Sequence, residues 1–137
     1  LNADQALGRN LGVFLRAGWN DGRTETWAFT EIDRTIAAGL SAGGGAWGRP
    51  DDRAGLAVVV NGISAEHRAY LAAGGYGFII GDGRLAYALE QIGELYYAIR
   101  AGRDVNITFD VQYVRNPAYN ADRGPVTLYA LRLHFSV

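Results

Sequence analysis

The stretch VNITFDVQY, residues 105–113, alternates between apolar and polar side chains at every step. The odd positions hold Val, Ile, Phe, Val and Tyr, whereas the even positions hold Asn, Thr, Asp and Gln. Successive side chains of a β-strand point to opposite faces, so a period of two separates these two sets. The stretch therefore predicts a β-strand with one apolar face and one polar face.

Similar alternation flanks this strand on both sides. Residues 85–102 predict a long strand that ends at a tight turn at 102–104. Residues 129–137 predict a last strand, because Tyr, Leu, Leu, Phe and Val alternate there with Ala, Arg, His and Ser. The segment 116–124 is rich in Asn, Pro, Asp and Gly and predicts a loop. The last third of the chain is thus predicted to form successive antiparallel strands.

The upstream half of the chain is less regular. Strands are predicted at 12–19, 26–40 and 55–62, with a hairpin signal at 20–23, a turn at 43–52 and a short helix at 64–74. Glu31, Asp33 and Arg34 interrupt the alternation of the second strand and predict a bulge. Residues 76–80 predict either a further short strand or part of a loop. The chain is therefore predicted to be one all-β segment, residues 1–137, of six or seven antiparallel strands.

Composition excludes several classes of protein. The 137 residues carry 13 basic and 14 acidic side chains, for a net charge of -1, which is no electrostatic footprint for nucleic-acid binding. Cysteine is absent, which excludes disulfides and cysteine-based metal or nucleophile sites. No run of apolar residues is long enough for a transmembrane helix. The chain begins with Leu1 and contains no Met, so we expect it to be a processed or excised piece of a longer protein.

The apolar strand faces have two interpretations. A soluble antiparallel barrel or sandwich turns such faces toward its core and can hold an apolar ligand there. A transmembrane β-barrel turns them toward lipid and lines its lumen with the polar faces. Predicted strands of about ten residues favour the membrane, because tilted membrane spans need about 9–11 residues and globular strands usually have about five or six. Periodicity alone leaves both alternatives open.

Several segments, taken in order, resemble the carbohydrate-selective porin (OprB) family. They are GWNDGR at 18–23, GRPDD at 48–52, the strand at 55–62, LAAGGYGFIIGDG at 71–83, Glu90, Glu94, Tyr96 and Tyr97, DVQYVRNP at 110–117 and LRLHF at 131–135. No single segment is specific, but their ordered combination spans almost the whole chain. The chain departs from the usual pattern of outer-membrane barrels in ending at Val137 rather than at an aromatic residue.

The resemblance implies a sixteen-stranded barrel of which this chain is the C-terminal portion. It implies passive diffusion of mono- and oligosaccharides across the outer membrane of a Gram-negative bacterium, with a homotrimer as a further option. Six strands cannot close a useful pore, so other strands must come from the missing N-terminal part or from other copies. With the C-terminus on the periplasmic side, the turn at 102–104 is periplasmic and the loop at 116–124 is external. The connection at 43–52 is long for a periplasmic turn.

Polar side chains on the predicted strands are candidates for the lumen wall. They are Arg16, Glu90, Glu94, Tyr96, Arg100, Asp110, Gln112 and Arg132. Such groups can hydrogen-bond sugar hydroxyls, with Tyr96 stacking on a sugar ring; alternatively they form a cross-strand ladder that stabilises the wall. Aromatic residues, namely Trp19, Trp27, Tyr87, Tyr97 and Tyr129, are candidates for an interfacial belt or for ordinary packing.

No residue pattern predicts catalysis, a metal or a cofactor. Glu90 and Glu94 lie four residues apart on one strand, roughly 13 Å by the strand rise, which exceeds the separation used by glycosidases. The two histidines, His67 and His134, have no ligand spacing around them; we expect His67 in a loop and His134 on the barrel interior. No serine lies in a G-x-S-x-G elbow. We therefore predict a channel rather than an enzyme.

Overall fold

The computed structural model describes residues 1–24, 31–77, 80 and 85–136. These residues form one antiparallel sheet of seven strands, in which each strand pairs with its neighbours in sequence. The strands are β1 (Asn2–Ala6), β2 (Leu11–Trp19), β3 (Arg34–Gly43), β4 (Arg53–Gly62), β5 (Glu90–Arg100), β6 (Val105–Arg115) and β7 (Val126–Phe135). One helix, α1 (Ala65–Ala72), follows β4, and short 3-10 turns lie at Gly44–Trp47 and Pro117–Tyr119. Among these residues, no helix has the length and apolar character needed to cross a membrane.

The predicted strand pattern is confirmed in outline and corrected at four places, the first being the last strand, which spans Val126–Phe135 rather than 129–137. β1 was not predicted, because its sequence NADQA has no alternating apolar residues. β5 begins at Glu90 rather than at residue 85. β3 begins at Arg34, so Glu31 and Asp33 belong to a connection and not to a bulged strand. Residues 25–30, with the candidate belt residue Trp27, and residues 78 and 79 of the segment at 76–80 lie outside the described residues.

The pairing register assigns the strand residues to two faces. On one face, Phe109 lies opposite Tyr97 and Leu131; we call this the apolar face. On the other, Asp110 lies opposite Tyr96 and Ala130; we call this the polar face. Most charged strand residues lie on the polar face. Arg34 and Arg115, at strand termini, are the exceptions. The charged residues of the polar face are Asp4, Arg16, Arg53, Glu90, Glu94, Arg100, Asp110 and Arg132.

The apolar face is not covered by a second layer of the described chain. Val58 is 55% exposed, Phe109 53% and Leu131 62%. In a soluble sandwich or barrel these central side chains would be buried against a facing sheet. The sheet is therefore a single layer whose apolar side chains meet its surroundings directly.

The two ends of the sheet differ in their connections. At one end, which we call the turn end, lie the connections 7–10, 44–52 and 101–104. At the other, the loop end, lie the longer connections 20–33, 63–89 and 116–125. This asymmetry agrees with the predicted one.

The buried apolar residues of the described chain lie at the loop end. Ile63, Leu71, Ile80 and Tyr119 are at most 4% exposed and contact one another; we call them the loop core. Tyr87, predicted for the apolar face of a strand, packs against this core instead, and its hydroxyl donates to the Ile63 carbonyl at 3.3 Å. The apparent alternation before β5 thus reflects packing in a loop.

Candidate functional site

All eight predicted lumen residues lie on the polar face of the sheet. Five of them come together on β5, β6 and β7: Glu94 pairs with Gln112, Tyr96 pairs with Asp110, and Arg132 lies two residues beyond the partner of Asp110 on β7. Arg16 lies apart on β2, and Glu90 and Arg100 stand at opposite ends of β5. We call Glu94, Tyr96, Asp110, Gln112 and Arg132 the central polar group.

The central polar group includes one direct cross-strand hydrogen bond. The Gln112 amide Nε2 donates to Glu94 Oε2 at 3.1 Å, and both side chains are half-buried. Directly opposed polar pairs of this kind hold neighbouring strands in register. The ladder interpretation therefore applies to this pair, while its remaining donor and acceptor positions face outward from the sheet.

Tyr96 lies flat along the polar face because its neighbour has no side chain. A Cβ atom at Gly55, the residue opposite, would overlap the Tyr96 ring. Phe14 lies over Gly39 in the same way, and the Arg16 guanidinium stands 5.1 Å from the Phe14 ring centre. Two aromatic rings thus lie against the wall, each placed by a glycine on the neighbouring strand.

Glu90 ties a loop to the sheet. Its Oε1 accepts from the Asn61 amide at 3.1 Å, and its Oε2 accepts from the Ala118 backbone N–H at 2.9 Å. Asn61 in turn accepts from the Thr35 hydroxyl at 2.8 Å. With both oxygens engaged, Glu90 has a structural role in holding the connection 116–125 over the polar face.

Arg100 is held by the turn that follows its strand. Its guanidinium donates to the carbonyls of Gly102, at 2.9 Å, and Arg103. Its backbone N–H donates to the Asp52 carboxylate at 3.0 Å. Although Arg100 lies on the polar face, its side chain is hydrogen-bonded to the turn at 101–104 and stabilises that turn.

Asp52 organises the long connection of the turn end. Its buried carboxylate accepts from the Arg49 guanidinium, from the Tyr97 hydroxyl at 2.7 Å and from the Arg100 N–H. The hydrogen bond from Arg49, followed by those from Tyr97 and Arg100, lowers the pKa of Asp52 to about 2. Trp47 extends the network by donating to the Tyr97 hydroxyl at 2.9 Å. The connection predicted to be unusually long is therefore folded back against β5.

A cluster that the sequence did not indicate lies at the loop end. His67, which was expected in a loop, lies on helix α1. Its Nδ1 is 3.0 Å from Asp33 Oδ2, and its Nε2 is 3.8 Å from Glu31 Oε1. Both carboxylates are almost fully buried, and Glu31 Oε2 also accepts from the Ile80 N–H at 3.0 Å. The only hint in the sequence was that Glu31 and Asp33 interrupt a predicted strand.

The same cluster reaches the loop core through Tyr119. The Tyr119 hydroxyl donates to the Glu31 carbonyl at 2.7 Å, and burial raises the pKa of this hydroxyl well above its usual range. Within residues 1–24, 31–77, 80 and 85–136, no group of three or more His, Asp and Glu side chains is arranged to hold a metal ion. Its hydrogen bonds make the cluster a junction between the connections 20–33 and 63–89.

An antiparallel single-layer sheet with an exposed apolar face and a polar opposite face is typical of the wall of an outer-membrane β-barrel. The model of the carbohydrate-selective porin, OprB family, matches residues 1–137. The chain therefore belongs to the carbohydrate-selective porin OprB family, which confirms the resemblance drawn from its segments.

A solved structure supports the same fold. The high pH structure of Pseudomonas putida OprB superposes with a TM-score of 0.76 over 98% of this chain, at 18% sequence identity. The match covers 34% of that chain, so the present chain spans about a third of its length. A comparison with curated proteins found no match. The predicted fold class, antiparallel strands of a porin-type barrel, is thereby confirmed.

Proposed function

We propose that this chain forms part of the wall of a channel in the outer membrane of a Gram-negative bacterium, through which carbohydrates diffuse passively. The observation that carries the proposal is the division of seven paired strands into a polar face and an exposed apolar face. Lipid would cover the apolar face, since burying apolar surface is worth about 25 cal/mol per Å². The polar face would then line a water-filled lumen. Membership of a carbohydrate-selective family supports sugars as the solutes.

Strand length and aromatic placement support a membrane location. Strands β2 to β7 have 9 to 11 residues, the length that a tilted strand needs to span a bilayer. On the apolar face, Trp19 and Tyr113 lie near the loop end, whereas Tyr97 and Phe135 lie near the turn end. Aromatic residues at both margins are typical of the interfacial girdles of such barrels. By this proposal the turn end faces the periplasm and the loop end faces outward.

The central polar group is the part of the polar face best suited to sugars. Carboxylate oxygens of Glu94 and Asp110, the Gln112 amide and the Arg132 guanidinium offer acceptors and donors to hydroxyls. The flat ring of Tyr96 offers a surface for the C–H side of a sugar. Arg16 adds a donor at some distance, whereas Glu90 and Arg100 chiefly hold the loop and the turn. We propose a channel rather than an enzyme, in keeping with membership of a porin family.

The outer strands β1 and β7 need partners in a membrane. Unpaired backbone groups of an edge strand are costly in lipid, so a membrane wall must close on itself. We propose that the remaining strands come from the rest of the protein, in keeping with the 34% coverage of the related structure, or from other copies. A homotrimer remains a prediction. The alternative of a small soluble ligand-binding module requires a buried apolar face, and the exposure of Phe109 and Leu131 weighs against it.

The proposal is tested by liposome swelling with the full-length protein. Vesicles containing it should swell in isosmotic glucose, and more slowly in larger oligosaccharides. Ala130→Trp places a bulky ring on the polar face and should slow swelling, whereas the control Val111→Trp places the same ring on the apolar face and should not. Absence of both swelling and bilayer conductance in the wild-type protein would refute the channel.

A further inference from the structure

We propose that a cavity at the loop end is a docking site for a single sugar ring at the mouth of the channel, an inference that rests on the proposed function. The cavity has a volume of about 370 Å³ and lies between the connection after β2 and helix α1. This is within the range of about 300–1,000 Å³ typical of small-molecule sites. Among the residues that the structure describes, its lining comprises Gly22, Arg23, Thr24, Glu31, Glu66, His67 and Tyr70.

The cavity lies on the polar-face side of the sheet. Asp33 extends the ladder beyond β3, because its N–H donates to the Gly62 carbonyl at 3.1 Å and its carbonyl accepts from the Asn20 N–H at 2.6 Å. Asp33 is two residues from Thr35, which is on the polar face, so its side chain points to that face as well. The Ser64 N–H and the His67 ring bind this carboxylate. Helix α1 therefore begins above the polar face, where solutes would enter the lumen.

Hydrogen bonds hold the part of the cavity wall at the start of α1 in place. The Ser64 N–H donates to Asp33 Oδ2 at 2.8 Å, and the Ser64 hydroxyl caps α1 by accepting from the His67 N–H at 2.9 Å. Opposite, Gly22 adopts a φ of +67° and approaches so closely that a Cβ atom there would overlap the Ser64 hydroxyl. A site that already has its binding shape loses little conformational entropy when a ligand binds.

The side chains offer the chemistry that a sugar requires. The buried Glu31 and the partly buried His67 stand side by side within the lining, while Glu66 and Arg23 are exposed. Sugar hydroxyls both donate and accept hydrogen bonds, so they can bind the Glu66 carboxylate and the Arg23 guanidinium at once. Mixed donors and acceptors of this kind suit a polyhydroxylated ring better than an apolar ligand.

Tyr70 supplies an aromatic platform beside these groups. It lies four residues after Glu66 on α1, and residues at this spacing share a helix face. Its ring packs against Gly75, where a Cβ atom would overlap it, and its hydroxyl donates to the Tyr76 carbonyl at 3.4 Å. The side chain is nevertheless 46% exposed. A ring held in this way presents its open surface to the apolar C–H side of a sugar.

The test is glucose binding to the detergent-solubilised full-length protein, measured by saturation-transfer NMR. Tyr70→Ala should raise the dissociation constant of D-glucose about three- to tenfold, as expected for loss of an aromatic contact. Tyr70→Phe keeps the ring and should bind like wild type. Tyr76→Ala is the matched control, because Tyr76 is 78% exposed, is not among the described lining residues and accepts from the Tyr70 hydroxyl through its backbone carbonyl, which the substitution keeps.

Glu66→Gln provides a second variant should Tyr70→Ala fail to fold, since Glu66 is exposed and its substitution should weaken glucose binding severalfold. Equal dissociation constants in all variants, or no glucose binding by the wild-type protein, would overturn the docking site. Because binding is measured without transport, the two proposals fail separately. A protein that binds glucose through Tyr70 but does not conduct refutes the channel alone, and one that conducts with unchanged Tyr70→Ala binding refutes the docking site alone.

Discussion

The sheet and the loop core place apolar side chains in opposite environments. In the loop core, Leu71 is 1% and Tyr119 4% exposed, as in an ordinary water-soluble domain. On the apolar face of the sheet, Leu131 is 62% and Tyr129 82% exposed. Burial of apolar surface stabilises proteins only where water is excluded. The loop core therefore forms its own apolar interior, whereas the apolar face of the sheet depends on an apolar solvent, which we propose is lipid.

The two tyrosines show the same contrast within one residue type. Tyr119 has a buried hydroxyl that donates to the Glu31 carbonyl and whose pKa is raised by burial. Tyr129 extends from the apolar face, opposite Val111 of the neighbouring strand. Its surroundings, rather than contacts within the chain, determine whether its exposure is costly. Variants that disturb each region separately therefore test whether the two depend on different solvents.

The largest effect is expected for a charge on the apolar face. Phe109→Arg, near the middle of β6, should destabilise the full-length protein in lipid vesicles by about 2–4 kcal/mol, the cost of Arg near the bilayer midplane. The matched variant Thr108→Arg places the same charge on the polar face of the same strand and should cost far less. Urea unfolding in vesicles measures both. Equal losses would contradict the assignment of the two faces.

A smaller and local effect is expected in the loop core. Leu71→Ala should lower the free energy of local opening of α1 by about 2–3 kcal/mol, because it leaves a cavity among buried side chains. Hydrogen exchange of the α1 amides measures this loss, with exposed Ala69→Ser as the control. Exchange in β4 and β5 should not change. Faster exchange throughout the sheet would show that loop core and sheet are one cooperative unit.

Asp52 makes the turn end sensitive to acid. Its folded pKa of about 2 lies below the usual value of 3.8, so its ionised form stabilises the fold above about pH 4. This contribution is lost as the pH falls from about 4 to 2. Asp52→Asn should therefore be less stable than wild type at neutral pH, with the difference shrinking over that window; Asp51→Asn, at an exposed neighbour, should follow wild type. The free energy of unfolding, measured with denaturant at a series of pH values, tests this expectation. A constant difference between Asp52→Asn and wild type from pH 7 to about pH 2 would disprove it.

The smallest effect is expected where the loop meets the sheet. Glu90→Gln leaves one oxygen to serve the Asn61 amide and the Ala118 N–H, so one hydrogen bond is lost, at about 1 kcal/mol. Amide exchange at Ala118 should rise about fivefold. Glu94→Gln, on the same face of β5 with no described bond to the loop, serves as control. An unchanged exchange rate at Ala118 would show that Glu90 does not hold the connection 116–125 against the sheet.

The sequence predicted those strands whose alternation of apolar and polar residues matches the two faces that they have in the structure. Strands β2, β4, β6 and β7 alternate because each has one apolar and one polar face, and this period is visible without tertiary information. β1 could not be found, because its five polar and small residues are a strand only by pairing with β2. The start of β5 was misplaced because Leu85 and Tyr87 alternate for another reason, their contact with the loop core.

The candidate site was predicted in part for similar reasons. The strand period alone places Glu94, Asp110 and Arg132 on one face, and the register agrees. The contact of His67 with Asp33 joins residues 34 positions apart, one on helix α1 and the other on the connection after β2, and no spacing rule reveals such a pair. The distinct roles of Glu90 and Arg100 likewise depend on where a loop and a turn fold back.

The central claim, that the apolar face meets lipid and the polar face meets water, is tested most directly by spin labelling. Residues 1–137 contain no cysteine, so single cysteines can be introduced along β6 and labelled without interference from this part of the protein. In vesicles of the full-length protein, labels at Phe109 and Val111 should be accessible to oxygen, and labels at Asp110 and Gln112 to a water-soluble nickel complex. Regular alternation between the two is the predicted result. Access to the nickel complex at all four positions, or to neither reagent at Phe109 and Val111, would contradict the account.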